Sequence, residues 1–183
     1  MSNGATVRLR PIEPAEAEAH WRWNNDPEVM RWFSTGFPVS RTRFIEGYAD
    51  RPPNSFERTV LGIETVHDGR LIGLISLGDT AHEIGSADFD IYIGEKECWG
   101  KGYGTEATRL ACRFGFDTMG LRRIQLWVAD ANAAAIAVYR KVGFVEEGRA
   151  RRTLRVHGVW HDMVLMGLLD DEFAALDAVP SAD

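Results

Sequence analysis

Residues 86–118 constrain the fold more than any other part of the chain. SADFDIYIGE (86–95) alternates apolar and polar side chains with the period of two that marks a half-buried strand. It runs straight into CWGKGYGTEA (98–107), where Gly100, Gly102 and Gly104 alternate with Lys101 and Tyr103. Beyond the glycines, Ala107, Leu110, Ala111, Phe114 and Thr118 recur at helical spacing as far as Gly120. A strand that passes through a glycine turn into an amphipathic helix requires a sheet with a helix packed on it.

The flanking sequence supplies the rest of that sheet. VRLRPIEP (7–14) reads as a short strand, AEAEAHWRWNND (15–26) as a helix, and PEVMRWF (27–33) as a second helix with Pro27 in its first turn. SRTRFIEGYADR (40–51) starts a further helix at Ser40, a good N-cap. Residues 57–79 give two β-rich runs split by His67-Asp68-Gly69, a strong hairpin signal. RRIQLWVAD (122–130) is a strand, NAAAIAVYRKVGF (132–144) a helix ending at Gly143, and residues 146–169 two strands around His157-Gly158. The order predicts an α+β (mixed α/β) domain around one sheet, spanning residues 1–175, with 176–183 as a tail. No linker, repeat or low-complexity tract divides it.

Composition narrows the function classes. The formal charge of −6 over 183 residues, with no run of like charges, argues against a nucleic-acid partner and favours a cationic or amine ligand. No apolar run has the length of a membrane span, and MSNGATVRLRP has no secretory core. The two cysteines, Cys98 and Cys112, lack metal-ligand spacing, and the five histidines form no metal motif, so no metal is expected and a reducing cytoplasm is the simplest address.

The glycine stretch does not have the GxxxxGK[ST] spacing of a Walker loop. It also comes too late, and breaks at Thr105, for a dinucleotide fingerprint. Two readings remain: a helix-entry turn, or a pyrophosphate cradle. In the second, amides at a helix N-terminus face a diphosphate, Gly102 and Gly104 leave room, and Thr105 and Lys101 add a hydroxyl and a charge.

GKGYGTEA after DFDIYIGE resembles motif A of the GNAT N-acetyltransferases, Q/R-x-x-G-x-G/A, with Trp99 where glutamine or arginine usually stands. WVADANAAAIAVYRKVGFVEEG (127–148) is similar to that family's motif B, in which an asparagine follows a strand and a helix carries a tyrosine before [KR]-x-G-F. The resemblance covers roughly residues 5–170. It implies the GNAT fold, a mostly antiparallel sheet with splayed central strands flanked by helices, and acetyl-CoA as co-substrate. It implies a cradle of Trp99, Gly100, Lys101, Gly102, Tyr103, Gly104 and Thr105, with the main chain of Ile91, Tyr92 and Ile93 along the pantetheine arm. Asn132 is then both a helix N-cap and a pantetheine contact, and Tyr139 the candidate general acid, set against a tyrosine merely packed on the sheet.

The period of two puts Ser86, Asp88, Asp90 and Tyr92 on one strand face. Asp88 and Asp90 therefore either line an acceptor cavity, as base or charge anchor, or sit on a solvated face. Glu83 is a weaker candidate base. Trp21, Trp23, Trp32, Phe33 and Phe37 fall in the segment that covers the acceptor in similar proteins, as core or as the floor of an amine pocket.

Two branches share these features: ribosomal-protein alanine N-acetyltransferases and spermidine N-acetyltransferases. Ser34-Thr35-Gly36-Phe37 supplies no carboxylate where the spermidine branch carries acidic residues. The expectation is a single-domain N-acetyltransferase acting on a protein N-terminus or small-molecule amine by direct attack in a ternary complex. A polyamine acetyltransferase and a non-catalytic acyl-CoA sensor or interaction module are the alternatives. Self-association as a homodimer fits the branch, and no sequence feature decides it.

Overall fold

The computed structural model describes residues 3–33 and 37–177. In chain order the elements are β1 (Val7–Pro11), α1 (Ala17–Asn24), α2 (Arg41–Glu46), β2 (Arg58–Thr65), β3 (Leu71–Ala81) and β4 (Ser86–Ile93). There follow α3 (Tyr103–Arg113), β5 (Arg123–Ala129), α4 (Ala133–Val142), β6 (Val145–Val156), β7 (Val159–Leu169) and α5 (Asp170–Asp177). The seven strands form one sheet in the order β1-β2-β3-β4-β5-β7-β6. Every neighbouring pair is antiparallel except β4 and β5. This is the α+β sheet expected, with the strands in their expected places.

The two sheet faces bury different sets of side chains. Phe89, Ile124, Leu126 and Met166 pack with Ala107, Leu110, Ala111, Tyr139 and Val142 of α3 and α4 in the main core. On the opposite face Leu74 packs with Trp23, Val29 and Met30, and Tyr92 and Phe33 lean on that smaller cluster. Each fully buried large aliphatic side chain is worth about 1.5–3 kcal/mol relative to exposure, so the main core dominates stability and the smaller cluster mainly positions α1.

Three local expectations change. PEVMRWF forms turns rather than a helix: Asp26 Oδ1 accepts from the amides of Glu28 (2.9 Å) and Val29 (3.3 Å), and Met30 N–H donates to the Asp26 carbonyl at 3.0 Å. Val29 and Met30 both bury in the smaller cluster from these turns. The helix started at Ser40 is shorter than predicted, although the cap is real, with Arg43 N–H donating to Ser40 Oγ at 3.3 Å. The helix after the glycines ends in a π-turn over Phe114–Thr118, and α5 was not anticipated; its Phe173 packs on Phe116 with ring centroids 5.4 Å apart. Ser34, Thr35, Gly36 and residues 178–183 lie outside the described residues, and with them most of the Ser34–Phe37 stretch and of the predicted tail. Among the described residues, no helix is long and apolar enough to cross a membrane and no His/Cys/Asp/Glu group could hold a metal.

Gly94 is where the two layers meet most closely. A Cβ there would sit 2.1 Å from Cδ2 of Trp23, which is 1% exposed and donates its indole N–H to Glu95 Oε1 at 3.0 Å. Gly94→Ala is therefore expected to destabilise the fold by about 2–3 kcal/mol and lower Tm by roughly 5–10 °C, measured by thermal unfolding.

Candidate active site

The site begins where β4 and β5 part. Their parallel pairing covers three residue pairs, Ser86–Arg123, Ala87–Ile124 and Asp88–Gln125. Beyond Gln125, β5 continues paired to β7 alone, and β4 from Phe89 to Ile93 continues paired to β3 alone. The result is a fork whose inner edges carry main-chain groups without a strand partner. A polar chain crosses its apex. Gln125 Nε2 donates to Asp88 Oδ1 at 2.8 Å, Arg123 donates to Gln125 Oε1 at 3.2 Å, and Arg123 Nη1 reaches Glu147 Oε1 at 2.7 Å. Asp88, a candidate base from its strand face, is thus held in this clamp.

The glycine stretch sits beside the fork. Gly100 (φ +71°) and Gly102 (φ +86°) both occupy the left-handed region, which L side chains rarely adopt, and a Cβ on either would meet nothing within 4 Å. The glycines are required by backbone conformation, and the space over them is open. Gly102 is the N-cap of α3 and no side chain caps that end, so the first amides of the helix, at Tyr103, Gly104 and Thr105, face outward with the positive end of the dipole. Lys101 is exposed beside them. Trp99 is half-exposed and donates its indole N–H to the Ile93 carbonyl at 2.8 Å, tying the turn to the end of β4. An open, uncapped helix N-terminus next to a fork of unpaired strand edges fits a diphosphate with an amide-bearing arm, the two parts of coenzyme A.

Tyr139 on α4 lies against the fork from the main-core side. It is 7% exposed, edge-on to Phe89 (centroids 6.2 Å, interplanar 90°) and 5.8 Å from Phe144. Burial, with the nearby Asp90 charge, pushes its phenol well above the ordinary range. Asp90 touches solvent yet lies in a concavity, where desolvation and then the Asp88 charge raise its carboxyl above the usual range. Asn132 caps α4, accepting from the Ala135 amide at 3.3 Å. Ile91 and Ile93 pack against the main core through their side chains, which leaves only their main chain for the fork.

On the other side of β4 opens a cavity of about 1060 Å³, lined by residues of β1, α1, the segment after α2, and β2 to β4, including Asp90 and Tyr92. The Tyr92 ring stands edge-on to Trp23 (6.1 Å) and Phe33 (5.7 Å), and its hydroxyl is buried with no hydrogen-bond partner. Of the five aromatic residues singled out, Phe33 alone lines the cavity. Trp23 is core and Phe37 is 97% exposed. Trp21 buries an unpartnered indole N–H, and Trp32 stands edge-on to His161 at 5.3 Å. Glu83 is an exposed turn residue outside the cavity.

Sequence reading missed further polar groups of the cavity, among them His20, Tyr48, Arg51 and Arg58, which no motif joins. His20 Nδ1 lies 3.2 Å from both the Tyr48 hydroxyl and Arg51 Nη1. Since guanidinium only donates, Nδ1 accepts from Arg51 and the imidazole is neutral.

Desolvation, and then Arg51, lower the His20 pKa to about 4. The unfolded chain, titrating near 6.5, binds this proton more readily. Stability from His20 is therefore complete above about pH 6.5 and is lost as pH falls towards 4, a loss of about 3 kcal/mol at most. Urea unfolding at pH 7 and 4.5 checks this: His20→Gln should lose less stability on acidification than the parent protein does.

The chain matches known proteins along nearly all its length. The family model for the acetyltransferase (GNAT) domain matches residues 6–145. "Probable N-acetyltransferase YjcK" of Bacillus subtilis (strain 168) is 33% identical over 183 residues, covering 94% of this chain and 99% of that protein. The spermidine N(1)-acetyltransferase of Escherichia coli (strain K12) is 28% identical over 181 residues, 98% and 95% of the two chains. Among solved structures, the spermidine N-acetyltransferase from Vibrio cholerae in complex with CoA and spermine superposes with a TM-score of 0.82 at 26% identity, covering 93% of this chain and 99% of that one.

Proposed function

Since the chain belongs to the GNAT acetyltransferase family, we propose that its fork and glycine turn hold acetyl-CoA while an amine enters from the cavity on the opposite face of β4. The protein is an acetyl-CoA-dependent N-acetyltransferase that transfers acetyl to a primary amine. One observation carries the assignment of the site: the unpaired inner edge of β4 runs beside an uncapped α3 N-terminus opened by Gly100 and Gly102.

The co-substrate supplies an acetyl thioester. The outward amides of Tyr103, Gly104 and Thr105, with Lys101, hold its diphosphate. The main chain of Ile91 and Tyr92 orients its arm along β4, and Asn132 stands at the start of α4 across the fork. An amide of the β4 edge polarises the thioester carbonyl as an oxyanion donor. Asp90 anchors the acceptor ammonium, and its raised pKa suits it to take the proton that frees the nitrogen lone pair. The N–C bond forms and the C–S bond breaks. The ammonium sheds two protons in all: one reaches solvent through Asp90, and the other replaces the proton that Tyr139 Oη gives to sulfur. Burial keeps that phenol protonated until charge develops beside it, against a thiol of pKa ~8.5. Asp88 acts only by holding the fork apex.

A polyamine acceptor is the second reading, supported by the names of the spermidine acetyltransferase relatives. The same proposal includes a cytoplasmic address, supported by two free, buried cysteines, and no nucleic-acid partner, supported by the charge of −6. It also includes self-association as a homodimer, supported by the open edge of β6 with exposed Val145.

Two variants test the site. Tyr139→Phe should keep the acetyl-CoA-induced rise in Tm and lose at least about tenfold in kcat, followed as thiol release from an amine panel; unchanged turnover would remove Tyr139 from the mechanism. Gly102→Ala forces a side chain into the left-handed region at about 1–2 kcal/mol, and should weaken acetyl-CoA binding roughly tenfold by calorimetry.

A further inference from the structure

The charges in the acceptor cavity do not match a simple cation site. Two arginines, Arg51 and Arg58, line it against a single carboxylate, Asp90. Among the described residues neither arginine makes an ion pair with a carboxylate. Arg51 lies over the Tyr48 ring, 4.0 Å from its centroid, and 5.4 Å from that of Phe44. Its Nη1 donates to His20 at 3.2 Å. These contacts orient the guanidinium without neutralising it, because the aromatic rings and the imidazole carry no net charge.

The buried Tyr92 hydroxyl gives a second, independent sign. It has no hydrogen-bond partner, lines the same cavity, and lies within the field of the Arg51 charge. A buried hydroxyl without a partner is costly, a cost that a ligand acceptor atom would relieve. Arg51 and Tyr92 line one space, and their guanidinium and buried O–H supply donors that an oxyanion accepts. The Arg58 charge reaches Asp90. Phe33, Pro11 and Pro52 add apolar surface to the same lining.

Resting on the N-acetyltransferase reading above, we propose that the acceptor is an amine that also carries an anionic group. Its ammonium sits at Asp90, and its carboxylate or phosphate is bound by Arg51 and the Tyr92 hydroxyl. A polyamine, carrying only cations, would meet two guanidiniums for one carboxylate and find no use for the donor pair.

Matched amines that differ only in the anion provide the test, with kcat/KM read as thiol release: phenylalanine against phenylethylamine, tyrosine against tyramine, phosphoethanolamine against ethanolamine, with spermidine alongside. The expected result is that at least one anionic member exceeds its partner, and spermidine, by tenfold or more. The first two pairs report a carboxylate and the third a phosphate. In Arg51→Met that preference should fall to about onefold, mainly through KM, and Arg51→Lys should restore part of it. The Tm rise given by acetyl-CoA monitors folding and the donor site in each variant. Preference for spermidine or for the anion-free partners would overturn the inference, as would a preference that survives Arg51→Met. No thiol release from any amine, with the acetyl-CoA shift intact, would instead overturn the transferase reading on which the inference rests.

Discussion

The structure depends on β4 and β5 pairing for three residues and then parting. Buried backbone groups without partners are costly, and a sheet normally avoids them by zipping to the end. Here the strands are held together at the apex by the Asp88–Gln125–Arg123–Glu147 chain and pulled apart by different neighbours, β4 by β3 and β5 by β7. The clamp needs Gly167 on β7, because a Cβ there would meet the Glu147 carboxylate at 2.5 Å. A fork fixed in this way presents peptide groups to whatever lies in it. An amide-bearing arm satisfies them, whereas an apolar ligand would not.

A buried carboxylate couples the two halves of the site. Glu95, 4% exposed, follows β4 directly and receives Arg22 and the Trp23 indole from α1, and Arg70 Nη2 at 2.5 Å from the start of β3. Its own amide and that of Gly94 both donate to the Ile72 carbonyl. The wall of the acceptor cavity and the entry to the glycine turn therefore hang on one side chain. Loss of a single partner would leave a buried charge only partly compensated, which is more costly than loss of a surface pair. Lys96, the next residue, bridges to Asp26 at 2.9 Å and Glu28 at 3.0 Å, extending the same junction to the turns after α1.

Much of the fold was legible in the sequence because it rests on short-range signals. Alternation along 86–93, the His67-Asp68-Gly69 and His157-Gly158 turns, and the helical period after Gly104 each act within a few residues. What failed was set by tertiary packing. PEVMRWF has helical propensity, but Asp26 ties it into turns that dock Val29 and Met30 on Leu74 and Trp23. Nothing local announces the π-turn at Phe114–Thr118, where Met119 N–H donates to the Phe114 carbonyl at 3.1 Å. Asp88 and Asp90 look equivalent by strand period. Gln125, 37 residues downstream, separates them by taking Asp88 and leaving Asp90 to the cavity.

The same distinction explains why the donor is readable and the acceptor is not. The proposed donor side is built from main chain: strand edges, helix amides and two glycines at positive φ. Backbone geometry imposes residue types at fixed spacing, so a motif reports it, and chains 26–33% identical can share it along nearly their whole length. The proposed acceptor side is built from side chains that converge from distant segments, His20, Arg51, Arg58 and Asp90 among them. Changing Arg51, Arg58 or Asp90 alters the charge of the cavity, whereas the sheet rests on its own strand pairing. Similarity to a spermidine acetyltransferase therefore carries the chemistry of transfer further than it carries the identity of the amine, which under the proposed reading rests on how two arginines and one aspartate share the cavity.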